Sequence, residues 1–123
     1  MILAVLDDLL FTSKIRTTAA QLGVPLIFAR STEAAIGEMR RQPLALVIFD
    51  LDNPRTDPLG TIATMKSDSA LAAIPTLGFV SHVHADLIDA ARRAGIGDVL
   101  ARSAFAANLP TILTGNRGGG TAG

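Results

Sequence analysis

The polar side chains that follow the apolar runs of this sequence are of the types that handle a phosphoryl group. Asp7 and Asp8 follow the first run, Asp50 the third, Ser81 the fourth and Arg102 the fifth. Carboxylate oxygens are the hard ligands that Mg²⁺ takes in proteins. A hydroxyl and a cation can hold phosphoryl oxygens while a carboxylate attacks phosphorus. These five residues are therefore the candidates for a site, provided that the fold brings the ends of the runs together.

Five short apolar runs alternate with five segments of helical periodicity, and this alternation predicts the fold class. Continuous apolar runs of this length are typical of strands that are buried on both faces. Parallel strands need right-handed helical crossovers, so we predict an α/β fold in which helices cover both faces of a parallel sheet. Ligands bind such sheets at the carboxyl ends of the strands. The predicted strands are residues 2–6, 24–29, 44–49, 76–80 and 98–101, and the predicted helices are 12–22, 32–41, 59–67, 84–94 and 105–113.

Composition limits the classes of protein that this chain can represent. Its 123 residues suit one domain, and 49% hydrophobic residues are enough to build a core. Eleven basic residues balance eleven acidic ones, so no general attraction to nucleic acid or to a membrane surface is expected. Cysteine is absent, which excludes disulfides and thiolate metal sites. We expect a cytoplasmic domain over residues 1–114, followed by a flexible glycine-rich tail over 115–123.

Two segments resemble the receiver (CheY-like) domains of bacterial response regulators. Asp50 is followed four residues later by Pro54 and then by Asp57, as the phosphoacceptor aspartate of that family is followed by Pro and then Asp-Gly. Residues 95–102 are similar to the family segment that ends in a lysine, here Arg102. The resemblance covers about residues 1–113. It implies a doubly wound, flavodoxin-like sheet with the strand order 2-1-3-4-5.

The resemblance also implies a phosphorylation site that contains Mg²⁺. Asp50 would accept a phosphoryl group, and the cation would be bound by an acid after the first strand, by Asp50 and by the backbone carbonyl of Asp52. Which acid it would be depends on the alignment. Matching the end of the first helix makes Asp7 the main metal ligand and puts Leu6 in place of the first acid of the pair. Matching the acids directly uses Asp7 and Asp8, and it requires a first helix one residue shorter.

The other implied roles concern the phosphoryl group and the partners. Ser81 would contact the phosphoryl group and couple it to a conformational switch, and Arg102 would pair with the aspartate and the phosphate. The phosphoryl donor would be a histidine kinase or a phosphotransfer protein. The output would be contact with a downstream protein or a second copy of the chain, through the fourth helix and fifth strand. The domain would be a signalling module rather than an enzyme.

Four substitutions relative to the family pattern support a second hypothesis. Arg102 replaces the family lysine, and a planar guanidinium is not equivalent to an ammonium group at a tight site. Ser103 replaces the following proline, Pro58 replaces the glycine of Asp-Gly, and Val99 replaces the aromatic switch residue. These changes are consistent with a pseudo-receiver, which would bind partners without phosphoryl chemistry.

A third hypothesis is a phosphatase similar to the haloacid dehalogenases. Residues 47–52 resemble the nucleophile motif of that family, with Asp50 as nucleophile, Asp52 as acid/base and Ser81 on the next strand. The motif normally continues with Gly-Thr, whereas this chain continues with Asn53 and Pro54. In a receiver, Asp52 would instead be placed to position water and shorten the lifetime of an acyl phosphate.

Overall fold

The computed structural model describes residues 1–81 and 84–115, and within them five strands form one parallel sheet. The strand order is β2-β1-β3-β4-β5, which confirms the predicted doubly wound topology. Every pair of neighbouring strands is parallel, with Val5 opposite Phe49 and Asp50 opposite Phe79. The elements are β1 (Ile2–Val5), α1 (Leu9–Leu22), β2 (Leu26–Ala29), α2 (Thr32–Arg41), β3 (Leu46–Asp50), a 3-10 turn (Pro54–Thr56), α3 (Pro58–Ser67), β4 (Thr76–Val80), α4 (Ala85–Ala94), β5 (Asp98–Ala101), α5 (Arg102–Ala107) and α6 (Leu109–Leu113).

Helix α1 begins three residues earlier than the sequence periodicity predicts. The carboxylate of Asp8 accepts the backbone N–H of Phe11 at 2.9 Å and so caps the helix before Leu9. At the other end, Gly23 adopts a left-handed conformation with φ of 68°, and the N–H of Val24 bonds to the carbonyl of Ala19 at 2.9 Å. Val24 therefore completes the helix cap, and β2 starts later than predicted.

The last predicted helix is divided in two. Helix α5 begins at Arg102, directly after β5, and ends before Asn108, while Pro110 occupies the first turn of α6. Proline is tolerated there because the first helical N–H groups have no partner within the helix. The predicted segment 105–113 is thus helical, with a break that its apolar pattern did not indicate.

Both faces of the sheet are covered, as predicted. Helices α1, α5 and α6 pack on one face, where Phe11, Phe79 and Phe105 have ring centroids 4.7 to 5.8 Å apart. Helices α2, α3 and α4 pack on the other face, around the buried side chains of Ile62 and Met65. In the part of the chain that the structure describes, no helix is long and apolar enough to cross a membrane. The tail predicted for residues 115–123 lies outside the described residues from 116 onward.

Candidate functional site

Asp50 is the last residue of β3 and the most buried carboxylate at the carboxyl edge of the sheet. Only 4% of its surface is exposed, and the backbone N–H of Asp52 donates to its Oδ1 at 3.1 Å. Burial raises the pKa of Asp50, although the Asp52 N–H and the charge of Arg102 oppose that shift. The other carboxylate oxygen, Oδ2, does not accept the Asp52 N–H and is therefore the one available for chemistry.

Asp8 is held at both of its oxygens. Oδ1 accepts the N–H of Phe11, and Oδ2 accepts Nη2 of Arg102 at 2.8 Å. These contacts lower the pKa of Asp8, first through the Phe11 N–H and then through Arg102. The carboxylate therefore has a structural role in capping α1, and it faces the beginning of α5.

Asp7 faces a different neighbour, the turn that follows β3. Its Oδ1 accepts the side-chain amide of Asn53, and Nη2 of Arg55 lies 3.3 Å from Oδ1 and 3.2 Å from Oδ2. The preceding residue, Leu6, is buried in the core and continues the hydrogen bonding of β1 to Ala29. Asp7 is therefore the acid after β1 that contacts the turn between β3 and α3.

Asp52 and Ser81 join the loops that follow β3 and β4. The Oδ2 of Asp52 accepts the backbone N–H of Ser81. The carboxylate of Asp52 is thus used to hold the start of the β4–α4 loop beside the β3–α3 loop. The direct contact between these two residues was not predicted from the sequence.

Arg102 is packed against aromatic rings as well as paired with Asp8. Its guanidinium carbon lies 4.4 Å from the ring centroid of Phe11 and 5.8 Å from that of Phe79. The structure therefore pairs Arg102 with Asp8, whereas the family resemblance implied a pairing with Asp50. The charge of Arg102 still acts on Asp50, because it lowers the pKa of that buried carboxyl against the effect of burial.

We call Asp7, Asp8, Asp50 and Asp52 the acid pocket. They line one open cleft of about 540 Å³, together with Leu9, Leu10, Asn53, Pro54 and Arg55. The chemistry of the donors fits a hard divalent cation, because the lining supplies carboxylate oxygens. Among residues 1–81 and 84–115, however, no three acidic or histidine side chains are grouped as a metal site. Asp7 and Asp8 are each paired with a guanidinium instead.

Two contributors to the site, Asn53 and Arg55, were not identified from the sequence. Both lie in the turn between β3 and α3, where the side chain of Asn53 also accepts the backbone N–H of Arg55 at 3.0 Å. A polar turn directly after Asp50 was visible in the sequence. Its pairing with Asp7, 46 and 48 positions away, depends on side-chain directions that the sequence pattern does not contain.

Several response regulators are among the solved structures that superpose on this chain. A response regulator from Hahella chejuensis superposes with a TM-score of 0.80 at 18% identity, covering 92% of this chain and 91% of that one. The phosphorylated cyanobacterial phytochrome response regulator RcpA gives 0.76 at 22% identity, covering 93% and 88%. The Mn²⁺-bound response regulator Rcp1 gives 0.72 at 22% identity, covering 94% and 89%. No protein-family model and no curated protein sequence matches this chain. The chain therefore has the fold of receiver domains, and the likeness is one of structure.

Proposed function

We propose that this chain is a receiver of a two-component system and that Asp50 is its phosphoacceptor. The observation that carries the proposal is the position of Asp50, a buried carboxylate that ends the central strand β3 and opens onto the acid pocket. Two proteins with the same fold are a phosphorylated and a Mn²⁺-bound response regulator, which gives the proposal further support. We assign the phosphoryl donor to a histidine kinase or a phosphotransfer protein.

The chemistry follows from the atoms around Asp50. Oδ1 keeps the hydrogen bond from the Asp52 N–H, and Oδ2 attacks phosphorus while the bond from phosphorus to the donor nitrogen breaks. Bound Mg²⁺ would supply positive charge that neutralises the phosphoryl oxygens. Asp7, Asp50 and the carbonyl of Asp52 would hold this cation. Arg102 would keep its contact with Asp8 through Nη2 and donate another N–H to a phosphoryl oxygen, and Ser81 would donate to a second one.

The output in this proposal is contact with another protein or with a second copy of the chain, in the cytoplasm. Phosphorylation of Asp50 would change the charge near Ser81. The backbone N–H of Ser81 donates to Asp52, two residues after Asp50. Ser81 also lines a cleft of about 390 Å³ between α4 and β5, together with Ile88, Arg92 and Val99. We therefore place the contact surface at α4 and β5.

The pseudo-receiver is the second candidate, and the ion pairs of Asp7 and Asp8 favour it. Each pair gives a carboxylate of the acid pocket a cationic partner from the chain itself, so the pocket is partly neutral without a metal. The phosphatase hypothesis has less support. The carboxylate of Asp52, its acid/base candidate, is already accepting the Ser81 N–H.

Intact-mass spectrometry after incubation with acetyl phosphate or phosphoramidate and Mg²⁺ separates the two candidates. A receiver gains about 80 Da, the mass of one phosphoryl group, and the Asp50→Asn variant does not. A pseudo-receiver shows no gain in either protein. Turnover of a phosphate ester without a lasting mass gain would instead support the phosphatase.

A further inference from the structure

We propose that Arg55 is a built-in competitor of the divalent cation. Its guanidinium pairs with the carboxylate of Asp7 and has to leave it before a cation binds there. This inference rests on the cation site of the proposed function, and it adds a residue that controls the occupancy of that site. It makes the affinity for the metal depend on an ion pair within the chain.

The contacts of Asp7 are the first argument. Arg55 reaches both carboxylate oxygens, at 3.3 and 3.2 Å, and the amide of Asn53 takes a second position on Oδ1. A bound Mg²⁺ needs an oxygen lone pair at a distance of about 2.1 Å and an almost ideal octahedral arrangement. A guanidinium that contacts both oxygens occupies the directions from which the cation would approach. The two cations therefore exclude each other at Asp7.

The turn that carries Arg55 is held by its own hydrogen bonds, while the side chain of Arg55 is largely exposed. The backbone N–H of Arg55 donates to Asn53, and the buried Thr56 donates its hydroxyl to the Asn53 carbonyl at 3.1 Å. The side chain of Arg55 is 78% exposed. An ion pair with such an exposed partner has a small net free energy, so it forms and breaks readily. Arg55 is thus anchored next to Asp7 and remains free to swing away from it.

Arg102, the other cation of the pocket, does not have this freedom. Its side chain is 31% exposed and lies over the Phe11 ring. Asp8, its partner, also caps α1, so separating that pair disturbs a helix end. Of the two guanidinium groups beside the acid pocket, Arg55 is the one that yields to a metal ion.

The test is a titration of the full chain with Mn²⁺, followed by the electron paramagnetic resonance signal of the free ion. We expect Arg55→Gln to bind Mn²⁺ about three- to tenfold more tightly than the wild type, because one positive charge is removed from the site. Arg41→Gln is the matched control. Arg41 is also an exposed arginine, 71% by side chain, and it pairs with Glu38 at the end of α2. We expect the Mn²⁺ affinity of the Arg41→Gln variant to equal that of the wild type. Adding Asp7→Asn to Arg55→Gln should abolish the gain.

Two results would overturn the inference, and they differ in what they mean for the proposed function. Equal affinity of Arg55→Gln and wild type would show that Arg55 does not compete, while the metal site itself would stand. No Mn²⁺ binding by either protein would show that something other than Arg55 keeps the metal away, and it would also count against the metal site. Whether Asp50 accepts a phosphoryl group is tested separately, by intact mass, whichever of these results is obtained.

Discussion

The two sides of the acid pocket each contain one guanidinium–carboxylate pair, and the pairs differ in what else holds the cation. On the β5 side, Arg102 contacts Asp8 at 2.8 Å and lies over the rings of Phe11 and Phe79. On the β3 side, Arg55 contacts Asp7 at 3.2 Å and is 78% exposed. Similar ionic contacts are therefore embedded differently, because the β5 pair is part of the packing and the cation of the β3 pair is exposed to solvent.

The largest effect on stability is expected on the β5 side. Arg102→Ala should lower the free energy of unfolding by about 2 kcal/mol, because it removes the contacts with two aromatic rings and the partner of Asp8. Urea denaturation followed by circular dichroism measures the change. Arg16→Ala is the control, since Arg16 lies 4.9 Å from the centroid of Phe28 at an exposed position. A loss from Arg102→Ala no greater than that from Arg16→Ala would contradict this view of the β5 pair.

Substitution of Asp50 should raise the free energy of unfolding, whereas substitution of Arg102 should lower it. The pKa of Asp50 is raised by burial, so ionised Asp50 destabilises the folded state at pH values above that pKa. Asp50→Asn should therefore stabilise the domain at pH 7 by about 1 kcal/mol. The gain should shrink as the pH falls through the pKa of folded Asp50 toward 3.8, the ordinary value. Thermal unfolding of both proteins from pH 4 to 7 gives the comparison. A gain that is constant with pH would mean that the charge is not its cause.

A smaller effect is expected from the charge of Asp8. Asp8→Asn keeps a side chain that can cap α1 but removes the ionic contact with Arg102, so we expect a loss of about 0.5 kcal/mol at pH 7. Because the pKa of Asp8 is lowered, its contribution is present above pH 3.8 and is lost as the pH falls through the lower folded value. The difference between wild type and variant in chemical denaturation should therefore disappear in acid. A difference that persists below the folded pKa of Asp8 would point to the cap instead of the charge.

The smallest change in stability should come from the β3 side. Arg55→Ala should alter the free energy of unfolding by less than about 0.5 kcal/mol, because an exposed ion pair contributes little. The same denaturation experiment measures it. A cost comparable to that of Arg102→Ala would remove the distinction between the two pairs and would argue against a removable Arg55.

The sequence was enough to predict the fold and the aspartates of the acid pocket. It was not enough to predict which groups pair with their carboxylates. Strand β3 and Asp50 followed from an apolar run that ends in an acid, and parallel topology then placed Asp7 at the same edge. The partners of the carboxylates were beyond the sequence for a physical reason. From the sequence alone, the side chain of Asp8 could have pointed to the helix or to the site. The hydrogen bonds from the Phe11 N–H and from Arg102 hold it at the start of α1.

Two further outcomes depended on local geometry. The early start of α1 results from capping by Asp8, which propensity does not distinguish from an acid in a loop. The break at Asn108 divides a segment whose apolar residues continue through both halves, with Phe105 in α5 and Leu109 in α6 both buried. Hydrophobic pattern therefore predicted which residues are buried there, and it did not predict the path of the backbone.

Asp50 is the residue on which the proposed phosphorylation depends. The direct test is to treat the chain with phosphoramidate and Mg²⁺, trap the acyl phosphate by reduction with borohydride, and locate the reduced residue by peptide mass spectrometry. We predict reduction at position 50 and at no other aspartate, and none in Asp50→Asn. Reduction at Asp7, Asp8 or Asp52, or a chain that remains unmodified after prolonged treatment, would contradict the assignment of Asp50 as phosphoacceptor.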